Sequence, residues 1–132
     1  MTPFSPGDAF FTPADYSDGG DHLWFVVAAE AVGARRVIVA NVSSRAPYGE
    51  ITQCVLRPVD HRKIKHDSYL RTDWAKCVNQ DSLAEITGIE RKDPIGADVL
   101  QRIQEALLKS PNTSKEVKRA LSEMLAPAQP QG

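Results

Sequence analysis

The sequence predicts an α+β domain: a strongly bent antiparallel sheet or small barrel over the first two thirds, with helices packed on one side. Three observations carry this. Short segments rich in aromatic and β-branched residues recur through residues 8–71, each of strand length. The loops that join them run to about 5–10 residues, which favours antiparallel pairing because a parallel crossover needs about a dozen or more. From Gly96 onward the apolar residues switch to helical spacing.

In chain order, "DAFF" (Asp8–Phe11) follows a Pro-Gly turn signal and reads as the first strand. "ADYSDGGD" is a loop by composition. "HLWFVVAA" and "RRVIVANVS" are the second and third strands, joined through "EAVGA", whose Gly33 suits a turn. "ITQCVL" (Ile51–Leu56) is the fourth, entered through a loop at Pro47–Gly49, and "SYLR" around Tyr69 is a short fifth. "SLAEITGIER" is compatible with a strand or a helix start, and Gly88 argues against a long helix. In "GADVLQRIQEALLKS", Val99, Leu100, Ile103, Leu107 and Leu108 form an apolar stripe, and Pro111 ends the helix. "TSKEVKRALSEML" opens on Thr113 with Glu116 three residues later, a capping-box pattern, and carries Val117, Leu121 and Met124 on one side. The expected division is a sheet domain over 1–93, a helical pair over 94–125 packed on it, and a disordered tail over 126–132.

At 132 residues the chain has room for one domain with a real core. Its 42% hydrophobic and 25% charged content is ordinary for a soluble protein. The longest apolar run, "LWFVVAA", is far too short to span a bilayer, and no secretory signal is visible at the N-terminus. Two cysteines, Cys54 and Cys77, make no disulfide scaffold, and the default reading is reduced thiols in a cytoplasmic protein. Net charge is −1, but its distribution is uneven. Residues 1–34 carry −5, whereas residues 57–76 carry +3 before their histidines. Either the basic segment holds an anionic backbone, or the two segments neutralise each other in the fold.

That basic segment, "DHRKIKHDSYLRTDWA" (Asp60–Ala75), holds most of the candidate chemistry. His61 and His66 are groups able to move a proton near neutral pH. Lys65, Arg71 and Arg62 could neutralise a phosphate in its transition state. Ser68 and Tyr69 could hydrogen-bond phosphate oxygens, and Tyr69 could stack on a base. Strand alternation would place His66, Ser68 and Leu70 on one face and Asp67, Tyr69 and Arg71 on the other. The competing reading is a polar loop whose side chains bond to backbone. A zinc site built from Cys54, His61, His66 and Cys77 is disfavoured, since the ligands do not come in close pairs. No G-x-S-x-G, P-loop or dinucleotide fingerprint occurs. Trp24 reads as core; Trp74, in "RTDWA", caps the core or sits at an interface, with core the better expectation.

The order of "SPGDAFF", a loop, "HLWFVVAAEAVGARRVIVANVSS" and a "CVL…DH..IKHDSY…WA" segment resembles the MazF/PemK group of toxins from toxin–antitoxin systems, over roughly residues 6–90. The resemblance implies an SH3-like barrel, here with C-terminal helices, and a homodimer. It implies a metal-independent, cofactor-free endoribonuclease that cuts single-stranded RNA by 2′-hydroxyl attack, and an antitoxin protein that occupies the RNA groove. The group has Arg-Pro at the start of the second strand, where this chain has His22-Leu23-Trp24 and no arginine before Arg35. His22 is then a candidate acid or base in the arginine's place. The hydroxyl expected after the third strand is Ser43 or Ser44. The expected catalytic set is His66 first, with His22 or His61 as counterpart and Ser68 beside them. Lys65, Arg71, Arg62, Tyr69 and Ser44 would bind phosphate. The alternative is a non-catalytic interaction module on the same fold, which also hosts toxins that act on DNA gyrase by protein contact.

Overall fold

The computed structural model describes residues 3–12, 22–30, 36–51, 54–86 and 88–126. The expected loop through 14–21, the turn at Gly33 and the tail beyond Ala126 lie outside the described residues. Seven strands are described: β1 (Ala9–Thr12), β2 (His22–Ala29), β3 (Arg36–Ser43), β4 (Val55–Leu56), β5 (Ser68–Leu70), β6 (Lys76–Asn79) and β7 (Glu90–Lys92). Three helices accompany them: α1 (Gln80–Ala84), α2 (Ala97–Lys109) and α3 (Lys115–Leu125). The strands form one antiparallel sheet in the order β4-β5-β3-β2-β1-β7, with β6 also on β3. No described helix is long and apolar enough to cross a membrane.

The fold is α+β, but the sheet does not close into the expected barrel. Among the described residues β4, β6 and β7 each pair on one side only. β4 is only two residues long, and Arg102 of α2 donates to the Val55 carbonyl (3.3 Å), so a helix side chain occupies that edge. β7 reads Glu-Arg-Lys, and charge on an edge strand opposes further pairing. Of the expected fourth strand over 51–56, the strand described is Val55–Leu56, and Thr52 and Gln53 lie outside the described residues. "SLAEITGIER" supplies both α1, which starts at Gln80, and the beginning of β7, with Gly88 at φ +86° between them.

Strand alternation gives the sheet two apolar faces. Leu23, Phe25, Ile38, Ala40 and Val42 face α2 and α3, against Val99, Ile103, Leu107, Val117 and Leu121. Phe10, Trp24, Val26, Val37 and Val39 face the other way, under Phe4 and Leu83 of α1. A bulge in β2 bends the sheet: Val26 pairs Val39 but Ala28 pairs Ile38, which leaves Val27 as the extra residue. Its carbonyl accepts from Gln104 Nε2 of α2 (3.0 Å), so the helix satisfies the group that the ladder cannot. Gly7, at φ +95°, turns the chain into β1, and its carbonyl accepts from Ile95 N–H (2.9 Å), tying the approach to α2 onto the sheet.

Of the predicted stripes Val99, Ile103, Leu107, Val117 and Leu121 are buried, joined by Ala106 and Ala120, while Leu100, Leu108 and Met124 are half-buried at the margin of the core. The cap of α3 is one residue later than expected. Ser114 accepts from Val117 N–H (3.2 Å), while Thr113 is buried and its Oγ1 has no partner.

Candidate functional site

The site grows from one irregularity in the sheet. β5 and β6 run along the same edge of β3, paired at Val42–Leu70 and at Val39–Lys76. Between those pairs two residues of β3, Ala40 and Asn41, stand against five, Arg71–Ala75. The surplus is taken up by a 3-10 turn over Thr72–Trp74. A bulge of this size re-aims side chains, and it divides this segment. Thr72 is buried toward the α2–α3 turn, where its Oγ1 meets Ser110 Oγ at 2.8 Å. Arg71, Asp73 and Trp74 turn to the opposite face.

There the Arg71 guanidinium lies 3.9 Å over the Trp74 ring centroid. It donates to both Asp73 oxygens (2.9 and 2.6 Å) and, through Nη1, to the Arg45 carbonyl (3.3 Å). These contacts engage three of its five N–H groups and leave two for an incoming oxygen. Trp74 also meets His22 in a T-shaped contact, with ring centroids 5.9 Å apart. Trp74 is 38% exposed, so it is not the core residue expected; contacts with a cation and an imidazole take the place of burial.

Cross-strand partners share a face in an antiparallel pair, which fixes what surrounds this cluster. Thr12 opposes His22, Trp24 opposes Asn41, Tyr69 opposes Ser43, and Lys76 opposes Val39. The indole N–H of buried Trp24 donates to Thr12 Oγ1 (3.1 Å), and Lys76 Nζ stands 5.7 Å over the Trp24 ring. Asn41 is 1% exposed, and its Oδ1 has no hydrogen-bond partner. An orphaned buried acceptor is rare in a settled interior, and here it lies on the face that carries His22. Ser44 is exposed beside Arg45, whose carbonyl holds Arg71, and Ser43 Oγ turns the chain by bonding to Arg45 N–H (3.1 Å) and C=O (2.9 Å).

The remaining candidates lie elsewhere. His61 is 5% exposed and packs edge-on against Phe25 on the helix-facing side of the sheet. Its Nε2 is 2.6 Å from the Asp93 carbonyl, which only accepts, and its Nδ1 accepts from Lys63 N–H (3.0 Å). Both ring nitrogens are therefore engaged, with the hydrogen on Nε2, and the ring holds the chain together. Ser68 is buried with Leu70 on that same side and donates to the His66 carbonyl (3.0 Å). His66 itself is exposed, and its hydrogen bond is local, to the Asp67 carbonyl (3.2 Å). Arg62 pairs with Asp93 (2.9 Å), and Lys65 Nζ reaches only the Arg62 carbonyl (3.5 Å). The structure thus brings His22, Arg71 and Tyr69 to one face, buries His61 and Ser68 on the other, and leaves Ser44, Arg62, Lys65 and His66 in exposed loops.

Trp74, Asn41, Thr12 and Lys76 complete the site and were not singled out by sequence as binding residues. The available signal was the polar break "RTDWA" between two strand-like runs.

Electrostatics follow the same division. Among the described residues the basic segment is balanced by nearby acids, Arg57 by Asp67 (3.7 Å), Arg62 by Asp93 and Arg71 by Asp73. Described N-terminal acids pair outside it, Asp8 with Arg91 (3.6 Å) and Glu30 with Arg36 (2.8 Å). Between β4 and α2 a cavity of about 400 Å3 is lined by Cys54, Arg57, Arg102, Glu105 and Lys109. Burial pushes the Cys54 thiol up despite the Arg102 charge, which keeps it protonated and unreactive.

Among solved structures, the chain is similar to a chain of MazE–MazF (Form-II) from Deinococcus radiodurans. The TM-score is 0.50 at 14% sequence identity, over 82% of this chain and 94% of that one. No family model and no curated protein matches the chain. At this identity it is the fold that is shared: an α+β fold of MazF type, built here on an antiparallel sheet.

Proposed function

We propose that this chain is a toxin-like endoribonuclease that cleaves single-stranded RNA without a metal ion. One observation carries the reading: the five-against-two excursion from β3 holds Arg71 on Trp74 beside His22, on the sheet face opposite α2 and α3. His22 takes the proton of the ribose 2′-hydroxyl. The 2′-oxygen then bonds to phosphorus and the bond from phosphorus to the 5′-oxygen breaks. That oxygen leaves with a proton from solvent, and His22 afterwards returns its own to solvent. The two remaining Arg71 N–H groups meet the non-bridging oxygens as charge builds on them. Tyr69 offers a ring face to an unpaired base, Trp74 keeps the Arg71 guanidinium in place, and Ser44 offers a hydroxyl to phosphate. On the same reading the chain works as a homodimer, and an antitoxin protein shields this face. The MazE–MazF likeness supports the partner class.

The experiment is incubation of purified protein with mixed-sequence single-stranded RNA in EDTA, followed by end-group analysis. Ends bearing 2′,3′-cyclic phosphate and 5′-hydroxyl are expected. His22→Ala should slow cleavage about 100- to 10,000-fold, the usual scale for a general acid or base. Arg71→Ala should also slow it, whereas His66→Ala should not. A second reading, a non-catalytic interaction module, draws on the bidentate grip of Asp73 on Arg71, which offsets the charge that catalysis would use. No cleavage by wild type at high protein concentration would decide for it.

A further inference from the structure

The loop after β3 is built more rigidly than a connection requires. At one end Arg71 Nη1 donates to the Arg45 carbonyl (3.3 Å). At the other, Glu50 Oε1 accepts from Thr72 Oγ1 (2.5 Å) and Ser110 Oγ (2.6 Å), while its Oε2 accepts from Ile51 N–H (3.0 Å). Both clamps therefore fall on neighbouring residues of the excursion that presents Trp74. Between them Pro47 is buried, and Glu50 N–H bonds to the Pro47 carbonyl (3.1 Å), closing a tight turn. Gly49 has φ +74°, the value that a type II turn needs at its third residue. The second residue is Tyr48, which is 100% exposed, and Ile51 just beyond the turn is 77% exposed.

A lone exposed aromatic needs no explanation. Here a fully exposed tyrosine is fixed at the tip of a turn clamped at both ends. It lies at most about 7 Å along the chain from Glu50 and about 11 Å from Arg45. Holding the backbone of the turn removes in advance part of the ordering cost that a contact would otherwise carry. The clamps bring exposed Arg45 and the Arg71–Trp74 stack to the same loop, with the Arg71 charge offset by Asp73, and a cation beside an aromatic ring suits single-stranded nucleic acid.

We infer that the Pro47–Glu50 turn is a recognition finger on which Tyr48 stacks an unpaired base of the strand whose phosphate lies at Arg71. This rests on the RNA reading and adds to it a residue that governs affinity without taking part in bond breaking. The test is fluorescence anisotropy with a labelled mixed-sequence RNA oligonucleotide, and with a ribose–phosphate strand of equal length lacking bases, at several salt concentrations. Tyr48→Ala should bind the RNA about 10- to 100-fold more weakly, the loss of one base–aromatic stack, and Tyr48→Phe should stay within about threefold of wild type. On the base-free strand wild type and Tyr48→Ala should bind alike. The salt slope should not change, because Tyr48 carries no charge.

Cleavage by wild type with equal RNA affinity in Tyr48→Ala would overturn the finger and leave the ribonuclease standing. Failure of Tyr48→Phe to retain affinity would reject stacking in favour of the hydroxyl. Absence of any RNA binding or cleavage by wild type would overturn both.

Discussion

Removing the Glu50 carboxylate should destabilise the protein more than its place in a surface loop implies. Its Oε1 accepts from Thr72 and Ser110, hydroxyls that are 1% and 0% exposed. Each hydrogen bond to a charged group contributes about 1.5–3 kcal/mol. In Glu50→Ala the two hydroxyls, 2.8 Å apart, can still bond to each other. One proton is then left buried without an acceptor, at a cost of about 1–3 kcal/mol. The two charged bonds together amount to about 3–6 kcal/mol with that cost included, and recovery of one neutral bond of about 1 kcal/mol leaves a net of about 2–5 kcal/mol. For a chain of this size that is a drop in Tm of about 10 °C, within a factor of two. Thermal melting by circular dichroism measures it. A double-mutant cycle with Thr72→Val should show coupling of about 1–2 kcal/mol, because the two residues share one network. A melting point within about 2 °C of wild type, or strict additivity of the two substitutions, would refute the clamp.

Two further outcomes follow from the same geometry. His61→Ala should lower stability by about 1–3 kcal/mol, since the Asp93 carbonyl and the Lys63 N–H lose their partner, while cleavage by the folded protein stays near wild type. Lost cleavage at unchanged Tm would return His61 to the catalytic set. The Glu30 carboxyl is held below the usual range first by its hydrogen bond to Arg36, and that of Glu90 by its bond to Lys92. A depressed carboxylate adds stability above its unfolded pKa and loses it as pH falls through the folded one. Melting curves of wild type and Glu30→Gln should therefore differ slightly at neutral pH and converge in acid, with the difference shrinking in added salt. A gap that widens in acid would reverse the sign.

How much was legible varied by element. β2 and β3 were readable because "HLWFVVAA" and "RVIVANVS" are apolar at strand length. α2 and α3 were readable because Val99, Ile103 and Leu107, then Val117 and Leu121, recur at helical spacing. β6 was not: "KCVN" alternates weakly and becomes a strand by pairing with Arg36–Val39.

For the site, sequence by itself determined the types of group available: a histidine opening β2, basic and aromatic residues after β4, hydroxyls at the end of β3. It also determined that Ser68 and Tyr69 must point to opposite sides, because the strand period is two. Tertiary structure alone decided which side meets which neighbour. α2 and α3 cover one face of the sheet and take Ser68, His61 and Thr72 with it, and the excursion at Arg71–Ala75 turns Arg71 and Trp74 toward His22 on the other. Residues adjacent in "DHRKIKHDSYLRTDWA" were separated by a sheet, and His22, about fifty positions upstream, was brought to Trp74. Alternation along a strand is local and can be read from sequence. The partner waiting on each face is set by long-range packing, and only the folded chain contains it.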